Sequence, residues 1–523
     1  MSNRNQQPAI GIDLGTTYSA VARIDEHGRP TTLVNAEGDL VTPSTVLFDD
    51  GYVVVGKEAV KAMATEAESV AQCAKRDLGC RVFHKSLEGR NYPPEAIQAL
   101  ILAKLRRDAS GLIGDFRKVV VTVPAYFDEI RRKATQDAGY MAGLEVLDII
   151  NEPTAAAIAF GYHRGLLNPD AAHEVQRVLV YDLGGGTFDV TVMELDQHEF
   201  RTLATDGDVL LGGQDWDQRL VDYVANQFLQ TYGLDPRVDP STAGRLWREA
   251  EDAKRTLSAR QKATIPVDFQ GHAMRVEISR QKFAELTHDL LARTEFTTRQ
   301  TLRAAGKEWS DIDHVLMVGG STRMPMVADM LRELSGMEPD RSVSVDEAVA
   351  HGAALRASML RSAGEDIGSL KIKNVNSHSL GVIAIDPATE EQRNATVIPR
   401  NTPLPVSARR VFKTQSDRQR SILVKIVEGE SRLAAECSQI GQCVVRDLPK
   451  NLAAGTPINV RFRYLENGRL TITVQVEGTD TGLKHHIERS NIITSDDLDR
   501  WQAYVAKLTA GELAEFPEAN GDA

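Results

Sequence analysis

The stretch Val178–Leu195, VLVYDLGGGTFDVTVMEL, does most to limit what this chain can fold into. The apolar run Val178 to Tyr181 reads as a buried strand. Asp182 and three consecutive glycines, Gly184, Gly185 and Gly186, come next. After Thr187, Asp189 to Val192 alternate polar and apolar as a second strand does. Glycines lack Cβ atoms and let backbone N–H groups approach an anion closely. Asp182 and Asp189, one at each shoulder of the turn, then face Mg²⁺ on that anion, because hard oxygen ligands suit this cation. Taken alone, the stretch fits an ordinary glycine hairpin equally well.

The same grammar occurs near the N-terminus. Ala9–Ile24, AIGIDLGTTYSAVARI, has an apolar strand, Asp13, a Gly15-Thr16-Thr17 turn, Tyr18 and a second strand. A third turn, VLMVGGSTRMP at Val315–Pro325, supplies Gly319, Gly320, Ser321 and Arg323 after another apolar strand. The first two turns read as an internal duplication, one in each half of a two-lobed domain. Two facing hairpins can clamp a polyphosphate from both sides. No G-x-x-x-x-G-K-[ST] occurs, so the phosphate site is not a P-loop.

At 523 residues the chain has the length for three or four core-sized units. Its net charge of −12 disfavours a nucleic-acid partner, which calls for clustered Lys and Arg. Cys73, Cys80, Cys437 and Cys443 lack zinc-site spacing and read as thiols of a reducing compartment. The N-terminus has no apolar leader and no apolar span of membrane length follows, so the expectation is a cytoplasmic protein with no membrane partner.

Together with NEPTAAAIAFGY at Asn151–Tyr162, the three turns resemble the ATPase domain of the heat-shock protein 70 (DnaK-type) chaperones, within the actin–hexokinase superfamily. The resemblance implies a two-lobed, actin-like α/β ATPase domain over residues 1–363. A linker over 364–376, an all-β sandwich that binds peptide over 377–482, and a short helix with a disordered tail over 483–523 would follow. It implies a stress-related chaperone that hydrolyses ATP, with ATP and Mg²⁺ as cofactors and room for K⁺. Asp13, Asp182 and Asp189 would hold the metal, mostly through water. Thr16, Thr17 and Gly184–Thr187 would cradle the phosphates, with Gly212 and Gly213 lying over them. Lys75 would reach the γ-phosphate, and Glu152 would stand near the attacking water; such a site works by positioning and charge stabilisation. Glu251, Lys254, Arg255 and Ser258 are spaced i, i+3, i+4, i+7, hence share one helix face. That stripe would bind the nucleoside, with Arg255 and Arg323 stacking on adenine and Asp346 closing its side. Pro124 and Arg132 would relay nucleotide state to the second domain.

The chain departs from the family pattern in several places. The outer lobe is short between Phe83 and Tyr92, which removes surface that a nucleotide-exchange factor would grip. Asp148 puts a negative charge where J-domain partners usually meet an arginine. The linker reads Leu370-Lys371-Ile372-Lys373-Asn374-Val375, with lysines at two apolar positions and Asn374 for an acid; it still alternates, so it can dock as a strand. Each lost apolar side chain would weaken docking by roughly 1.5–3 kcal/mol at most. Short strands are expected at Ala395–Ile398, Ser407–Lys413, Ser421–Glu428, Ile458–Tyr464 and Leu470–Val476, with a turn at Glu466-Asn467-Gly468. Ile422 matches the peptide-pocket residue, and Asn394 and Gln415 match the arch over it, polar where the family is apolar. Helices are expected over Lys57–Ala71 and Pro94–Gly114, the latter with Lys104, Arg106 and Arg107 towards solvent. A last helix, N-capped by Ser495, would carry Leu498, Trp501, Val505 and Leu508 on one face. It is too short for a full lid, so peptide would leave faster. Two readings of function follow. One is an ATP-driven chaperone for unfolded or extended polypeptide; the other is a nucleotide-dependent switch whose β-domain binds one folded partner.

Overall fold

The computed structural model describes residues 8–168, 174–197, 199–362, 370–386, 389, 391–446, 448–465, 470–478, 482–486 and 494–517. Two mixed sheets form the first part of the chain. In one, the strands run Pro30–Leu33, Tyr18–Ile24, Ile10–Asp13, Lys118–Val123 and Glu145–Asn151, with Thr42–Pro43 pairing off the second. In the other they run His314–Val318, Gln176–Leu183, Phe188–Leu195, Glu199–Asp208 and Lys371–Lys373. The inner strands are covered on both faces, which explains their near-continuous apolar runs. Two Ala-rich helices, Glu152–His163 and Ala348–Ser362, fill the seam between the sheets and share one core with Val120, Val178, Val180 and Leu316. They approach very closely: a Cβ on Gly352 would stand 1.8 Å from the Ala155 carbonyl oxygen. Small residues at this crossing bring the two glycine hairpins to the same end of the molecule.

The linker closes the edge of the second sheet. Lys371–Lys373 pairs in parallel with Glu199–Asp208, in the register Glu199↔Lys371, Phe200↔Ile372 and Arg201↔Lys373. Leu370 is buried and Ile372 packs against the seam core. The lysines do not keep the strand away: Lys373 pairs with Glu199 at 2.7 Å. Asn374, in place of an acid, accepts from Thr154 and Thr202 hydroxyls at 3.5 and 3.4 Å.

Beyond the linker, two four-stranded sheets share one apolar core. One has the order Gln392–Ile398, Leu380–Ile385, Ile422–Glu428, Ser438–Val445; the other has Val406–Lys413, Pro457–Tyr464, Leu470–Val476, Gly482–His486. This unit rests on the first lobe. Ile130 packs into its core, the Tyr464 hydroxyl donates to Glu129 Oε1 at 2.6 Å, and His378 lies 4.2 Å from the Tyr126 ring. Arg400 pairs with Asp206 at 2.5 Å, and the Thr205 N–H donates to Asn401 at 3.0 Å. One contact here is unsatisfied. Glu428 is buried in this interface and its Oε2 has no hydrogen-bond partner. Burial and the Asp128 and Glu430 carboxylates push its pKa up to about 8, against the pull of Arg132 and Arg131; Tyr464 and Glu129 lie in the same contact.

The last helix, Ser495–Thr509, lies on the first lobe. Trp501, Tyr504, Val505 and Leu508 are buried in that lobe's core, and the Tyr504 and Tyr92 hydroxyls stand 2.9 Å apart. Trp501, Tyr504 and Phe516 meet edge to face, and Phe516 meets Tyr92 likewise. The helix thus supplies apolar cover beside the short segment between Phe83 and Tyr92.

Several expectations need correction. The helix from Lys57 stops at Ala62, because Val70–Gln72 is taken up as a strand against Thr45–Asp49. Lys104 is buried, not solvent-facing, since Asp108 and Glu37 neutralise it at 2.5 and 3.0 Å. The last helix is capped one residue earlier, by the Thr494 hydroxyl accepting from the Asp497 N–H. Asp148 pairs with Arg356 at 2.8 Å. The second pair of sheets extends to His486. The turn Glu466-Asn467-Gly468, residues 1–7 and the linker residues before Leu370 lie outside the described residues.

Truncating Trp501 to alanine should cost about 3–5 kcal/mol of stability. Denaturant unfolding checks this, and a loss confined to a freely dissociating helix would leave the main transition unmoved. For the interface, the raised pKa of Glu428 means that docking takes up a proton. Its contribution is complete below the carboxyl's ordinary value and is lost as pH rises to about 8. Docking measured by energy transfer between dyes on the two parts should therefore weaken by up to about tenfold per pH unit between about pH 6 and 8. Glu428→Gln should flatten that dependence.

Candidate functional site

The two glycine hairpins meet tip to tip. A Cβ on Gly185 would stand 2.1 Å from the Thr17 hydroxyl oxygen, and one on Gly186 would stand 2.3 Å from the Thr16 methyl. Only glycine permits this approach, so the triple glycine is needed to bring the hairpins together. The third turn joins them: Ser321 donates to the Gly184 carbonyl at 2.8 Å, and a Cβ on Gly319 would stand 2.4 Å from the Leu183 carbonyl oxygen. Between the lobes lies a cavity of about 490 Å³. Asp13, Gly15–Tyr18, Lys75, Glu152, Asp182, Gly184, Gly185 and Thr187 line one part of it. Glu251, Lys254, Arg255, Ser258, Gly319–Ser321, Arg323 and Asp346 line the rest. Gly186, Asp189, Gly212 and Gly213 support its wall without lining it; Gly212 packs on Gly186, and the Gly213 N–H donates to the Gly184 carbonyl at 2.9 Å.

The floor of the cavity gathers negative charge around one cation. Lys75 is 1% exposed and pairs with Glu152 at 2.6 Å. Asp182 and Asp189 stand nearby and are buried, and Asp13 beside them is half-buried. Asp13 accepts from the Thr122 hydroxyl at 3.0 Å and Asp189 from the Tyr126 N–H at 2.9 Å. Burial, then the Glu152 charge, raises the pKa of all three carboxyls, that of Asp189 to about 8. Four carboxylates with one ammonium leave a buried negative excess, which is the environment that suits a hard divalent cation. Among the described residues no three carboxylates stand close enough to ligate one metal directly. The donor set therefore fits Mg²⁺ held through intervening water and phosphate oxygens.

The nucleoside-facing side is a network of paired charges. Arg255 bonds the Tyr18 hydroxyl and pairs with Glu251 at 2.6 Å, which spans the cavity mouth from one lobe to the other. Its guanidinium carbon lies 5.2 Å from the Tyr18 ring centre. Arg323 pairs with Asp346. Lys254 donates to Asp217 at 2.7 Å and to the Gly213 carbonyl at 2.9 Å. Asp217 and Trp247 line the cavity and were missed from sequence. Asp217 sits in the same GGQDWD run as Gly212 and Gly213, and its acid was the available signal. Arg76 also bridges the lobes, bonding the Gly186 carbonyl at 2.8 Å and Asp215 at 2.6 Å.

A model of the family described as Hsp70 protein matches residues 9–89 and 81–515. The chain belongs to the Hsp70 family. Hsp70 proteins are in general ATP-dependent chaperones that bind ATP with Mg²⁺, and the sheets and helices described here fit their actin-like ATPase fold. No described helix of this Hsp70 chain is long and apolar enough to cross a membrane. Its four cysteines are free.

Pro124 is buried at the end of its strand. Arg132 donates to the Asn151 side chain at 2.6 Å and the Ala125 carbonyl at 3.3 Å. Its field reaches Asp189 on one side and Glu428 and Tyr464 on the other. The peptide-pocket candidates are spread out. Ile422 lies in the core between the two four-stranded sheets. Asn394 is buried and donates to the Gly429 and Ser431 carbonyls at 3.1 and 3.2 Å, with its Oδ1 over Gly381. Gln415 is exposed, its backbone N–H held by Gln419. The Asn394 bonds thus join it to neither of the other two.

Lys75→Ala leaves buried Glu152, Asp182 and Asp189 without their cation. Nucleotide-free stability should fall by about 3–5 kcal/mol in denaturant unfolding; an unchanged midpoint would mean that the Lys75–Glu152 pair is not formed in solution.

Proposed function

We propose that this Hsp70 chain is a cytoplasmic chaperone that binds extended or unfolded polypeptide in its β-domain and controls that binding through ATP hydrolysis. The observation that carries the reading is the convergence of Lys75, Glu152, Asp13, Asp182 and Asp189 between two opposed glycine hairpins. Backbone N–H groups of the turns at Thr16-Thr17 and Gly184–Thr187 cradle the phosphates. Asp13, Asp182 and Asp189 would hold Mg²⁺ through water, and the ion would supply charge neutralisation on the phosphate oxygens. Lys75 stabilises charge on the γ-phosphate, and Glu152 orients water for in-line attack. Glu251 and Lys254 reach the ribose, while Arg255 and Arg323 leave their present partners to flank adenine. Arg132 and Pro124 connect this site to the β-domain contact, and the docked linker strand transmits lobe movement to it.

A second reading, a nucleotide switch for one folded partner, gains support from Asn394. Its amide is committed to the Gly429 and Ser431 carbonyls, and Ile422 lies inside the core, so peptide would need both to move. Release of a labelled, extended apolar peptide in ADP and in ATP separates the two. Faster release in ATP supports the chaperone; absence of binding in both, with hydrolysis intact, supports the switch.

Lys75→Ala should retain ATP binding yet lose single-turnover hydrolysis by at least about a hundredfold, the scale of one removed charge-stabilising donor. Unchanged hydrolysis would remove Lys75 from the reaction.

A further inference from the structure

The sheet Val406–Lys413, Pro457–Tyr464, Leu470–Val476, Gly482–His486 has one face in the core and one outside. Ile458, Val460, Phe462 and Tyr464 alternate into the core, as do Ile472, Val474 and Val476. The opposite face carries Ser407, Arg409, Val411 and Lys413 on the first strand, and Asn459, Arg461 and Arg463 on the second. Arg409, Lys413, Arg461 and Arg463 are all exposed. Register sets Arg409 directly opposite Arg461, and Ser407 opposite Arg463. The third strand adds Thr471, Thr473 and Gln475, and the fourth has Lys484 at the position opposite Thr473. No acidic residue occupies this face on the first three strands.

Like charges directly opposite one another on a sheet are destabilising. On the exposed hairpin Lys262–Phe269 and His272–Ser279, by contrast, Lys262 is answered by Glu277 at 2.6 Å. Arg237, Arg299 and Arg332 on the helical surface also have their carboxylates. Arg409, Lys413, Arg461 and Arg463 have none among the described residues. An unpaired basic face in a chain of net charge −12 offers charge complementarity to an acidic partner.

We infer that this face docks an acidic polypeptide segment in extended conformation. Alternate side chains of an extended chain lie about 6.8 Å apart, which is the spacing of Arg461 and Arg463 and of Arg409, Val411 and Lys413 along their strands. Guanidinium groups bind carboxylates in bidentate fashion, and Asn459, Thr473 and Gln475 offer neutral hydrogen bonds beside them. The first three strands place no aromatic residue on this face on which a base would stack. Duplex DNA carries one charge per about 1.7 Å, a much closer spacing than that of these side chains, whereas the alternate side chains of an extended acidic segment match it. This docking is separate from the proposed peptide site and from ATP, so its failure leaves that reading untouched.

The test is fluorescence anisotropy with full-length protein and a labelled, alternating glutamate–threonine octapeptide. Arg461→Glu/Arg463→Glu should weaken binding at least about tenfold, as should raising salt from about 50 to 300 mM. Folding, checked by circular dichroism, and ATP turnover should stay unchanged. The milder Arg409→Gln/Arg461→Gln pair should weaken binding in the same direction. Equal affinity in parent and variants would overturn the inference, as would failure of the octapeptide to bind in low salt. Tighter binding of oligothymidylate, lost in the same variants, would reassign the face to a phosphate backbone and likewise overturn it.

Discussion

The sheet that carries Asp182 and Asp189 runs on through Glu199–Asp208 and ends at the linker strand Lys371–Lys373. That edge pairing is the contact on which the arrangement of the whole molecule depends. It fixes where the chain leaves the two mixed sheets, and so where the two four-stranded sheets can rest. Its hydrogen bonds are backbone bonds, indifferent to the Lys371 and Lys373 side chains. Sequence made those lysines look like losses of burial. In the structure Leu370 and Ile372 retain the apolar contact, and Lys373 finds Glu199.

Electrostatics ties the cavity to the same edge. The carboxylates around Lys75 fit a divalent cation, which would supply the missing positive charge. Asp189, one of those carboxylates, is held by the Tyr126 N–H, and Tyr126 in turn carries His378 of the β-domain on its ring. Arg132 lies between Asp189 and Glu428. A change of charge in the cavity is thus two residues away from the interdomain contact by either route.

The last helix is the largest surprise for a reading by family resemblance. Its period was legible, since Leu498, Trp501, Val505 and Leu508 recur on one face. Its partner was not, because periodicity says that a face is buried but not against what. The outer lobe is short between Phe83 and Tyr92, and Trp501, Tyr504 and Phe516 cover Tyr92 beside it. The cavity residues were legible because glycines and acids at turns announce themselves. Lys104 was misjudged although one partner, Asp108, lies four residues on in the same helix; the second, Glu37, is remote in sequence, as is Arg356, the partner of Asp148. Asn394 was placed by matching, but its bonds to the Gly429 and Ser431 carbonyls depend on a loop whose path no local pattern gives.

Amide hydrogen exchange at Lys371–Lys373, followed in ATP and in ADP, tests the central claim most directly. The account predicts protection of these amides in ATP, with the strand paired to Glu199–Asp208, and faster exchange in ADP. Equal exchange in both states would contradict it, because the linker strand would then carry no information from the cavity to the β-domain.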